Sequence, residues 1–328
     1  MNRFTQNDEE KRERRSWFNR VRKEREGIDP DEPKALDNPS IPSFFKLFAR
    51  KFNTLLSVNL MFVFGNFPIF FLLLALSGYV SEDSFAPYYQ QYAPLLGASY
   101  FDPSPVMSSL MGIFGVQIGI TIPSAITKIL YAFTALLLVT FGPVNVGMTY
   151  LLRSMVREEG MFLLSDFWYA IKRNVRQEFL FGAIDLLIMG ILAYDFLYFY
   201  LNLASGSTMI YILFFLTFAM IIVYVMMRMY IYLMMITFDL SIPKLLKNAL
   251  FFTILGIKRN IMALLWIVLL LAVEYLFMIV FFPVAVILPL VALFSIGSFG
   301  CAFAAYPKIK EVMIDPYYSD EKADPDAK

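Results

Sequence analysis

The sequence predicts an all-α, polytopic membrane protein. Six transmembrane helices form three parallel units, each an amphipathic interfacial helix plus a helical hairpin, with both termini cytoplasmic. Three observations lead there. The 328-residue chain is 59% hydrophobic, with a mean hydropathy of +0.61, against about 45–50% apolar in soluble domains. Several apolar runs exceed the roughly 20 residues that cross a bilayer. Lysine and arginine gather in alternate connections between those runs, and positive residues stay cytoplasmic.

The charge pattern fixes the count of crossings. Arg3, Lys11, Arg12, Arg14, Arg15, Arg20, Arg22, Lys23, Arg25, Lys34, Lys46, Arg50 and Lys51 precede the first run, while residues 79–123 contain no lysine or arginine. Arg153, Arg157, Lys172, Arg173 and Arg176 lie between the second and third runs; Lys244, Lys247, Lys258 and Arg259 lie between the fourth and fifth. The turns after the third and fifth runs carry none, and Lys308, Lys310, Lys322 and Lys328 follow the sixth. A seventh crossing at Val106–Ile120 would turn every later basic connection outward. That Gly-containing stretch is also short for a span, which predicts an interfacial or re-entrant helix within an extracytoplasmic insertion at 79–123.

In chain order, residues 1–39 form a charged tail without the apolar stretch of a signal peptide, and Asp29-Pro30-Asp31-Glu32-Pro33 ends any helix there. The membrane domain occupies 40–306. Ser40-Ile41-Pro42-Ser43 starts a helix whose foot, Phe44–Phe52, sets phenylalanines against Lys46, Arg50 and Lys51. Span one covers Thr54–Ser77, kinked at Pro68. Asn59 and Asn66 share a face, pointing into the bundle to bond another helix. Span two, Ser124–Met148, bends at Gly142-Pro143 and continues as a cytoplasmic helix that stops near Gly160. A second foot, Asp166–Arg176, is capped by Ser165 or Asp166. Span three is Glu178–Asn202, Ala204–Ser207 is a tight turn, and span four is Thr208–Phe238. Asp239–Asn260 holds the third foot, with Pro243 in its first turn. Span five is Ile261–Phe282, span six Val286–Tyr306, and 307–328 a polar tail. Ile171-Lys172-Arg173-Asn174 and Ile257-Lys258-Arg259-Asn260 are near-copies, with Ala49-Arg50-Lys51-Phe52-Asn53 a looser one. Each follows an even number of crossings, so the repeats are parallel, unlike the inverted repeats of many transporters. The feet Arg50, Lys51, Lys172, Arg173, Lys258 and Arg259 read as interfacial anchors to membrane lipid.

Composition removes most catalytic options. There is no histidine, the commonest general base and zinc ligand. Cys301 is the single cysteine, so no internal disulfide or cysteine metal cluster forms. Neither a phosphate-binding loop nor a nucleophile elbow in its strand–turn–helix context is present. We therefore expect no catalytic residue, no metal and no cofactor, and a net charge of +1 selects no nucleic acid.

Ionisable groups inside spans are functional candidates by default. Asp185 lies about 10 Å into span three and Arg228 about 15 Å from the inner end of span four. Because the two spans share a tight turn, Asp185 and Arg228 are expected to pair, either as a structural bridge or as part of a solute or proton path. Asp195, Glu274 and Lys128 lie further out, where they could pair across helices or line a vestibule; Lys128 could also snorkel. Tyr88-Tyr89-Gln90-Gln91-Tyr92 reads as interfacial aromatics or a sugar-stacking loop.

From Gly142 to Gln177 the chain resembles the YesL-like family, bacterial membrane proteins with a domain of unknown function. The matching residues are Asn59, Gly142-Pro143, Arg153, Arg157-Glu158-Glu159-Gly160, Asp166-Phe167-Trp168 and Lys172-Arg173-Asn174, and the likeness spans roughly 43–306. The long 79–123 loop and the N-terminal tail depart from it. The resemblance implies a multi-pass protein of the bacterial cytoplasmic membrane, accessory to carbohydrate (oligosaccharide) uptake, with subunits of a carbohydrate ABC transporter as partners. The alternative is a small-solute transporter or channel that uses the intramembrane charges.

Overall fold

The computed structural model describes residues 35–36, 38–87, 105–106, 117–173 and 175–316. Six helical stretches are long and apolar enough to cross a membrane: Ile41–Gly65, Ala125–Val156, Val175–Leu201, Thr208–Thr237, Ile257–Val280 and Phe282–Ile314. Apart from a two-stranded ribbon, the regular structure of the described residues is helical. They divide into two compact units: Asn66–Leu137, and the residues up to Gly65 together with those from Leu138 onward.

The larger unit begins with α1 (Ile41–Gly65). Ser40 and Ser43 cap it reciprocally: Ser40 N donates to Ser43 Oγ at 2.8 Å and Ser43 N to Ser40 Oγ at 3.4 Å. The helix runs unbroken from the expected foot into the span, because nothing between Pro42 and Gly65 interrupts its hydrogen bonds. The first foot is therefore not a separate element. It ends where expected from Pro68, which cannot donate to the Phe64 carbonyl. That break begins at Asn66, seven residues after Asn59.

The smaller unit contains α2 (Pro68–Leu76), β1 (Glu82–Pro87), β2 (Gln117–Ile122) and α3 (Ala125–Thr134). The strands pair antiparallel, from Glu82 opposite Ile122 to Pro87 opposite Gln117. The helix expected over Val106–Ile120 does not reach its expected end. Gln117–Ile120 is strand, and the alternation of Ile118, Ile120 and Ile122 explains the extended choice. Pro105 and Val106 are helical; residues 107–116 and the Tyr88–Tyr92 loop lie outside the described residues. Ser124 caps α3, accepting from Thr127 N at 3.2 Å and donating to Val80 O at 2.5 Å.

The chain re-enters the larger unit in α4 (Leu137–Val156), then α5 (Leu163–Arg173), α6 (Val175–Leu201), α7 (Thr208–Thr237), α8 (Ile242–Leu255), α9 (Ile257–Val280), α10 (Phe282–Leu288) and α11 (Phe294–Ile309). The helix continues past Pro143, as expected; span two has a further, unexpected interruption at Ala135–Leu136. Helix α5 starts at Leu163, earlier than expected, and Asp166 Oδ2 reaches back to accept from Phe162 N at 2.8 Å. The third foot closes at Gly256, so Ile257-Lys258-Arg259-Asn260 opens the span helix, whereas Ile171-Lys172-Arg173 closes its foot. The near-copies are not structurally equivalent. Asn174 lies outside the described residues. The last span is longer than expected and contains two π-helical turns, Pro289–Leu293 and Lys310–Ile314.

The core gathers Leu47, Leu55 and Val58 of α1, Leu151 to Val156 of α4, Tyr230 to Ile236 of α7, and Phe299 to Ile309 of α11. Helix α7 is buried at Met226 and from Tyr230 to Ile236, while Met209, Ile212, Phe215 and Met220 are exposed. Those exposed apolar flanks suit a hydrocarbon surround, where helices satisfy their own backbones.

Candidate functional site

A close helix crossing builds the site. A side chain at Gly142 of α4 would strike the Glu178 carbonyl of α6, and one at Gly182 would strike the Gly142 backbone. Two glycines let the backbones touch. Asn145 and Asp185 each lie three residues beyond their glycine, hence on the same helical face, so the crossing delivers both to one place. The turn at Gly206, in the left-handed region with φ 69°, folds α7 back along α6 and brings Tyr224, Arg228 and Tyr232 to meet them.

Arg228 Nε donates to Asp185 Oδ1 at 3.0 Å and to Oδ2 at 2.9 Å. Tyr224 Oη donates to Oδ1 and Tyr232 Oη to Oδ2, both at 2.6 Å. Arg228 Nη2 donates to Asn145 Oδ1 at 2.8 Å. The guanidinium also lies over the rings of Tyr232 and Phe141, at 5.0 and 5.5 Å. The Asp185 side chain is fully buried, and its carboxylate is saturated by charge-assisted bonds. Arg228 retains 25% side-chain exposure into a cavity of about 320 Å³ between α4, α6, α7, α9 and α11.

The other expected site residues are dispersed. Asp195 of α6 and Glu274 of α9 are half-buried, and neither makes an ion pair with a described residue. Lys128 is exposed on α3 of the smaller unit. Lys172, Arg173 and Lys258 are exposed and Arg259 half-buried, but Lys51 is buried at 6% exposure and Arg50 is ion-paired with Glu158. The expected anchoring role does not suit Lys51 or Arg50, because α1 packs that face into the core.

Asn59 performs the helix-to-helix bonding expected of it. Its Nδ2 donates to Pro289 O at 3.0 Å and Leu290 O at 2.9 Å, and its Oδ1 accepts from Ser295 N at 2.9 Å. It thereby satisfies backbone groups released by the π turn. Asn66 is buried at the start of the smaller unit.

Sequence reasoning missed three polar brackets and one buried carboxylate. Asn145 and the two tyrosines lie in apolar runs without distinguishing spacing. Asn260 accepts from Tyr230 Oη at 2.7 Å and donates to Thr253 O at 2.9 Å, tying α8 to α9. Arg153 Nη1 caps α7 at Ile236 O, at 2.9 Å. Glu178 is wholly buried, with no hydrogen-bond partner for either carboxyl oxygen among the described residues.

Residues 124–196 match a family model described as a protein of unknown function, DUF624, in agreement with the YesL-like resemblance. The matched stretch contains Gly142, Asn145, Gly182 and Asp185 but not Arg228. No curated protein and no solved structure matches the chain.

Proposed function

We propose that this chain, whose DUF624 segment carries Asp185 and Asn145, is a non-enzymatic accessory protein of the bacterial cytoplasmic membrane, working beside a carbohydrate uptake system. It is oriented with both termini inside and built of three parallel units, with subunits of a carbohydrate ABC transporter as partners. The observation that carries the non-enzymatic part is the saturation of Asp185: three side chains donate to it, so its charge is spent holding α6, α7 and α4 together. The link to oligosaccharide uptake comes from the family resemblance. The test is affinity purification from mildly solubilised membranes, with quantitative identification of what co-elutes. Transporter subunits enriched over an unrelated six-span control support the proposal; their absence overturns it.

A second reading, small-solute passage, is favoured by the cavity beside Arg228. In it, Asp185→Asn or Glu274→Gln abolishes flux in proteoliposomes while the thermal unfolding transition persists. No flux of sugars, acids or ions through the unaltered protein sinks it.

A further inference from the structure

We propose that the cavity beside Arg228 binds the acidic head of an amphiphile, a carboxylate or phosphate group carried on an apolar chain. This does not depend on the accessory reading. Arg228 uses Nε on Asp185 and one Nη2 hydrogen on Asn145. A guanidinium offers five donors, and the remaining Nη hydrogens have no partner among the described residues. They form a planar edge that fits a two-oxygen anion. Tyr224 and Tyr232 donate to Asp185 and spread its charge, which leaves the far edge of the guanidinium attractive to a second anion.

The rest of the cavity chooses the body of the ligand. Met148, Met189, Val225, Leu270 and Leu271 line it. Such walls suit an alkyl chain and leave the hydroxyls of a sugar unbonded. At about 320 Å³ the space is at the small end of ligand sites, enough for a head group and the first part of one chain. A free fatty acid and a phospholipid share this chemistry.

The test uses the full chain in phosphatidylcholine nanodiscs, with dodecanoate and dodecanol as probes in equilibrium binding. Dodecanoate should bind saturably and at least tenfold more tightly than dodecanol. Gly297 lines the cavity, and a Cβ built there meets only Leu270 Cδ1, at 3.7 Å. Gly297→Leu therefore fills the cavity without touching the ion pair, and should weaken dodecanoate at least tenfold with the unfolding transition retained. Competition by added phosphatidylglycerol assigns the site to a lipid head group; indifference to it assigns the site to free acids, and either supports the proposal. Equal affinity for the two probes overturns it, as does binding unchanged in Gly297→Leu. The probe comparison in the unaltered protein decides the matter if the variant fails to fold.

Discussion

Asp185 and Arg228 show how a buried ion pair behaves when its surplus bonding is filled. The carboxylate has no exposure and three donors, so removing one partner strands the other. Arg228→Met should lower stability by about 3–5 kcal/mol, read as an earlier unfolding transition in detergent. The double variant Asp185→Leu/Arg228→Met should recover most of that loss, because no unpaired charge remains buried. A double variant as unstable as the single one would contradict this account. The pairing of these two residues was legible in the sequence because a charge inside a span demands an opposite charge within reach. Asn145, Tyr224 and Tyr232 were not legible, since neutral polar residues in apolar runs carry no such demand.

At the scale of elements, one backbone feature holds the site in place and a second closes α4. The crossing of α4 and α6 depends on Gly142 and Gly182 having no side chains. Gly182→Leu should cost at least about 1–3 kcal/mol through forced separation. Gly190 on the same helix meets nothing within 4 Å, so Gly190→Ala should be neutral or slightly stabilising; parallel thermal melts compare them. The second feature is the end of α4, where Glu158 has φ 53°, costly for a residue with a Cβ. Its carboxylate pairs with Arg50 and accepts from Ala35 N at 2.7 Å. Glu158→Ala keeps the strain and loses those bonds, and should cost on the order of 1–3 kcal/mol. Glu158→Gly loses the bonds but relieves the strain, and should be about 1 kcal/mol better than alanine. Chemical unfolding of both variants checks the order. The break after Gly65 and the continuation of α4 past Pro143 were legible in the sequence, whereas the unbroken α1 and the early break at Gly256 were not. A proline signals a lost hydrogen bond, but neighbouring helices decide whether the helix yields.

For the whole molecule, the proposed orientation makes a direct prediction. In a Cys301→Ala background, Ser207→Cys should react with a membrane-impermeant maleimide on intact cells, and Lys258→Cys only after permeabilisation. The reverse pattern would overturn the orientation. The six membrane-spanning helices were decided by sequence alone, because hydrocarbon accepts only long, internally bonded apolar segments and the chain states their lengths directly. So was the need for a partner at Asp185 and Arg228. Which polar side chains meet was decided only in the tertiary structure. Asn59 bonds a π turn more than two hundred residues away, and Arg228 reaches both Asp185 and Asn145, because glycine contacts and a left-handed turn set how the helices lie together. Those contacts are pairwise and distant in the chain, so no local pattern of apolar and polar residues records them.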